Sequence, residues 1–171
     1  EWRLAVFYQA LLYPDRGSNV SDPDWKSHLD RLQKWVKTVP DSMTARIALG
    51  AAWAEYAKKA YSPVDEWTDF DRQVGGKVYQ ERLKQAERTL SFDPAKLMDG
   101  FMRRIKAEVT LQGHTQLKSY CPHWYVVRLR IEQRRTWDWD RFNNIFGEGV
   151  AVEPAYYPLY LVKAAELMPQ N

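Results

Sequence analysis

Between residues 42 and 61 the chain carries apolar side chains on nearly every side of a helix. Ala45, Ala48, Leu49, Ala52, Trp53, Tyr56, Ala57 and Ala60 form one stripe, and Ile47, Ala51 and Ala54 continue the apolar surface round the other side. A helix with no polar face has to be buried. Its alanines let neighbouring backbones approach closely, as expected of a helix held between others in a layered array.

Prolines punctuate the rest. Val39-Pro40-Asp41-Ser42, Phe92-Asp93-Pro94-Ala95 and Val152-Glu153-Pro154-Ala155 each place a proline just ahead of an apolar helical stretch, and Tyr120-Cys121-Pro122-His123 is a looser fourth case. Proline suits a first helical turn, where its missing N–H is not needed. The spacing predicts helices over 2–13, from Ser21-Asp22-Pro23 to about Val39, over 42–61, from near Lys77 to Leu90, from Pro94 to near Gly113, from Pro122, around Trp139 to Phe146 with Asp138 or Thr136 as cap, and from Glu153-Pro154 onward. Ser62-Pro63, the acidic run Asp65, Glu66, Asp69 and Asp71, and Gly75-Gly76 predict an acidic loop or insertion at about 61–76. No segment shows strand alternation with turn chemistry on both sides. The expectation is an all-α chain of about eight helices, with 171 residues forming a single domain.

Composition excludes several classes of function. Twenty-five basic and 22 acidic residues leave a formal charge of +3, too small a surplus to argue for nucleic acid from overall charge alone. Cys121 is the single cysteine, so neither an internal disulfide nor a cysteine-based zinc site can form. Uncharged apolar runs such as Ala48 to Ala54 fall far short of the roughly 20 residues of a membrane span. Glu1 opens the chain without methionine or a signal sequence, which fits a processed or a trimmed chain. Nothing assigns a compartment.

Asp138-Trp139-Asp140-Arg141-Phe142, followed by Phe146, Ala151, Glu153-Pro154 and Tyr156, resembles the second helix of a tetratricopeptide repeat and the start of the next. Ala86, Leu90 and Asp93-Pro94 look similar, as do Trp35, Pro40, Ser42 and Ala45. The prolines at 40, 94, 122 and 154 stand 54, 28 and 32 residues apart, against about 34 in that repeat. Residues 35–60 with 136–168 also resemble a bacterial family of unknown function with tetratricopeptide-like helices, through Trp35, Pro40, Ser42, Ala45, Glu153, Pro154 and Tyr156. These resemblances imply an irregular, right-handed tetratricopeptide-like stack and no activity.

Candidate chemistry is sparse. His28, His114 and His123 are far apart, and Cys121 and His123, two positions apart around Pro122, do not face each other on a helix. Asp65, Glu66, Asp69 and Asp71 beside Trp67 and Phe70 would suit paired-carboxylate catalysis only if they converged on a cleft. Arg128, Arg130, Arg134 and Arg135, next to Trp137 and Trp139, form the one basic cluster, a pattern that can stack on single-stranded nucleic acid. Stacked helices leave an extended concave surface suited to recognition. The sequence therefore predicts a non-catalytic scaffold that binds a protein or peptide, without cofactor or metal. Trp67, Arg128, Arg130, Arg134 and Trp137 are the candidate binding residues. An enzyme using the 65–71 carboxylates and a nucleic-acid binder using Arg128 to Trp139 are the alternatives.

Overall fold

A computed structural model describes residues 2–14, 20–60, 69–94, 96–97, 99, 121–135 and 138–167. Among them are seven helices and no strand: α1 (Trp2–Leu11), α2 (Asp22–Thr38), α3 (Met43–Ala60), α4 (Asp69–Leu90), α5 (Pro122–Gln133), α6 (Trp139–Val152) and α7 (Tyr157–Leu167). The chain is all-α, with seven helices among the described residues where eight were expected. Most of the helix expected between Pro94 and Gly113, including Phe101, lies outside the described residues.

Local chemistry sets the helix starts. Ser21 and Asp24 form a reciprocal capping box on α2: the Ser21 hydroxyl accepts from the Asp24 N–H at 3.3 Å and the Asp24 carboxylate from the Ser21 N–H at 3.2 Å. The Ser42 hydroxyl accepts the Ala45 N–H at 3.1 Å ahead of α3, Pro122 opens α5, and Asp138 caps α6 by accepting the Arg141 N–H at 3.0 Å.

Three expected boundaries need correction. Pro40 and Pro154 stand in turns ahead of their helices, because Ser42 supplies the cap of α3 and because α7 begins only at Tyr157, with Pro158 in its first turn. Residues 69–76, expected within a loop, belong to α4, which runs through Gly75 and Gly76. Each glycine costs a helix about 1 kcal/mol relative to alanine. Burial of Leu83, Ala86 and Leu90 further along outweighs that cost.

Helix α3 is the hub. It packs against α1, α2, α4 and α5, most extensively against α4. Ala48, Leu49, Ala52 and Tyr56 join Trp25, Leu29 and Leu32 of α2 in one cluster. Ile47, Ala51 and Ala54 belong to the larger cluster with α1, α4, α5, α6 and α7, and Trp53 packs against both. A Cβ on Gly50 would lie 2.7 Å from Leu90 Cγ, so any larger residue there would force the Leu90 side chain to shift where α3 meets α4. The second hub is α5, which touches α3, α4, α6 and α7 and buries eight of its residues.

Candidate functional site

Helix α5 offers two chemically distinct regions. Near its N-terminus, Tyr8 of α1 stacks on His123, with ring centroids 4.3 Å apart and planes 3° from parallel. His123 Nδ1 lies 2.8 Å from the Tyr156 hydroxyl, and the Tyr8 hydroxyl lies 3.5 Å from Cys121 Sγ. Burial pushes His123 down to about 3, assisted by the charge of Arg130, so the imidazole is neutral. Burial also raises the Cys121 thiol and the Tyr8 phenol. A protonated thiol is a poor nucleophile. The cluster is a hydrogen-bonded polar core that fastens α1 and the residue ahead of α7 to the start of α5.

Further along, Trp124, Arg128, Glu132 and Arg135 follow one another at steps of four, four and three, and so share one face. That face looks into a cleft of about 330 Å³. Leu90, Phe92 and Ile131 contribute its apolar floor, Glu87 and Ser91 one rim, and Arg141 of α6 the other. The Trp124 indole is fixed by its N–H donating to the Leu90 carbonyl at 3.3 Å, and Phe92 lies 6.0 Å away between ring centroids.

Charge in the cleft is unevenly satisfied. Arg141 pairs with the buried Glu132 at 2.9 Å, and Arg135 pairs with Glu87. The Arg128 guanidinium lies over Trp124, its Cζ 4.5 Å from the ring centroid. No hydrogen bond or ion pair joins Arg128 to another described residue. Burial lowers its pKa from the usual guanidinium range, while Glu148 draws it back up. The cleft therefore holds a charged, partly desolvated fork of donors with an aromatic backing.

The expected binding residues are distributed differently. Of the three that are described, Arg128, Arg130 and Arg134, only Arg128 lines the cleft. Arg130 is half-buried on the same helix, where its charge acts on His123 and Tyr13. Arg134 is engaged inside the fold: it donates to the Ala54 carbonyl at 2.7 Å and pairs with Glu55 at 2.5 Å, while its own carbonyl accepts from Tyr79 at 2.9 Å. Burial by itself would raise the Glu55 carboxyl, but Arg134 and Lys58 outweigh it and hold the pKa below the ordinary value. Trp67 and Trp137 lie outside the described residues, as do Asp65, Glu66 and His114. Asp69 and Asp71 fall in the first turn of α4. His28 is buried and donates to the Leu11 carbonyl at 3.0 Å. No group of three or more histidine, cysteine, aspartate or glutamate residues able to hold a metal occurs among the described residues. No described helix is long and apolar enough to cross a membrane.

Glu87, Phe92, Glu132 and Arg141 complete the cleft, and the sequence reading singled out none of them for a site. The four-residue spacing of Trp124, Arg128 and Glu132 was the available signal; the approach of α4 and α6 carries none in sequence. No family model, no curated protein and no solved structure matches the chain.

Proposed function

We propose that this chain is a non-catalytic helical scaffold, an irregular tetratricopeptide-like array similar to a bacterial family of unknown function, that binds a polypeptide in the cleft between α4, α5 and α6. The observation that carries this reading is Arg128, placed over Trp124 at the edge of an apolar floor without a hydrogen-bonding partner among the described residues. Recognition sites combine such aromatic and arginine anchors with a polar rim. Both carboxylates in the cleft, Glu87 and Glu132, are held by arginines and are poorly placed to exchange protons with a substrate.

Panning a random peptide library against the wild-type chain and against Ser91→Trp tests this. Ser91 is exposed at the rim, so the indole obstructs the cleft without entering the core. Peptides enriched by the wild type should be lost on Ser91→Trp while the melting temperature stays within a few degrees. Equal enrichment on both proteins, or none on either, contradicts the reading.

A further inference from the structure

The charges lining the cleft are three arginines and two glutamates, a surplus of one positive charge. Both glutamates are already neutralised, Glu132 by Arg141 at 2.9 Å and Glu87 by Arg135. The surplus therefore resides on Arg128. Its guanidinium is planar and presents a fork of N–H donors matched to the two oxygens of a carboxylate. Trp124 lies 4.5 Å from the Arg128 Cζ and closes off one side of that group.

The same indole is flanked by Phe92, so the donor fork and the apolar floor border one small volume. At about 330 Å³ the cleft stands at the lower end of ligand sites. That volume suits one residue and its end group better than an extended segment threaded through. Internal acidic side chains place their carboxylate at the tip of a polar stem. A chain's last residue carries its carboxylate beside its own side chain, so charge and apolar bulk arrive together.

We propose that the cleft takes a carboxylate borne next to an aromatic or aliphatic group, the chemistry of a polypeptide's terminal residue, with the carboxylate on Arg128 and the apolar group against Leu90, Phe92 and Ile131. The inference rests on the peptide-binding reading above and narrows it to the end of a chain. Glu148 on α6 and the paired Glu87 and Glu132 are the negative groups such a ligand would meet. They set a limit on further acidic residues upstream in the ligand. Loss of the carboxylate removes a charge-assisted bond to a partly desolvated arginine, which should weaken binding by about 10- to 100-fold.

Fluorescent hexapeptide pools, randomised except for a last residue of Phe or Leu, are compared by anisotropy as free acids and as amides. The free acids should bind, with the amides weaker by that factor on the wild type and the difference abolished in Arg128→Gln. Arg128→Lys, which keeps charge and stem, should retain folding and lose most of the discrimination. Displacement by N-acetylphenylalanine at concentrations matching the peptides identifies a free aromatic acid as a sufficient source of the group; displacement only at much higher concentrations identifies the polypeptide end. Amides that bind as well as acids overturn this inference and leave the peptide reading standing. Failure of both pools overturns both.

Discussion

Leu49→Asp leaves most of the protein unfolded under conditions in which the wild type is folded. Leu49 is 6% exposed on the face of α3 that meets Trp25, Leu29 and Leu32 of α2. Truncating such a leucine costs about 2–5 kcal/mol in lost transfer energy and cavity. The carboxylate adds its own desolvation, or the cost of being protonated at neutral pH. The total is on the order of 5 kcal/mol or more, comparable with the whole stability of many domains. Circular dichroism at neutral pH should show loss of most helical signal. Leu49→Met, which conserves volume, should melt close to the wild type. Near-wild-type melting of Leu49→Asp would mean that α3 is not sealed against α2.

Acid is expected to unfold the protein through His123. Its folded pKa of about 3 lies below the ordinary 6.5, so between those values the unfolded chain binds the proton and the folded one does not. Stability therefore rises with pH across that window and falls as pH drops through it. At about 1.4 kcal/mol per pH unit, His123 costs the fold on the order of 3 kcal/mol by pH ~4.5 and somewhat more towards pH ~3. His28, also lowered by burial, acts in the same direction. Glu55, Asp22 and Asp24, whose folded pKa values are lowered, withdraw their stabilisation only at the acid end, as pH falls through those values. Urea midpoints at pH ~7 and ~4.5 measure the effect. His123→Gln retains an amide for the Tyr156 hydroxyl and does not titrate, so it should lose most of the difference between the two pH values. An unchanged difference in that variant would place the acid sensitivity elsewhere.

The parts of the fold legible in the sequence are those written in local spacing. The all-round apolar pattern of residues 45–60 announced a helix buried on two sides, and α3 is buried against α2 on one and α4 and α5 on the other. Ser21, ahead of apolar periodicity, caps α2, and Asp138, one of the two cap candidates with Thr136, caps α6. Proline was less informative than expected at 40 and 154, because it is as comfortable in a turn ahead of a helix as in the first turn itself. Gly75-Gly76 suggested a break that tertiary packing of the same helix overrode.

The candidate site was half legible for the same reason. Arg128 stood out within a basic cluster, but the sequence could not separate it from Arg134. What separates them is Glu55, 79 positions away, which holds Arg134 within the fold. Tyr8 and Cys121 meet across 113 positions, and Trp124 reaches the Leu90 carbonyl across 34. Contacts of that range depend on which helix faces lie together, and no periodicity within one helix encodes them.

The central claim is that α3 is the sealed core against which the other helices are arranged. Native-state hydrogen exchange measures this directly, residue by residue. Amides from Ile47 to Ala57 should exchange only through global unfolding and be the slowest in the chain, with those of α1 and α7 opening far sooner. Exchange of the 47–57 amides at the rate of those in α1 and α7 would contradict the account.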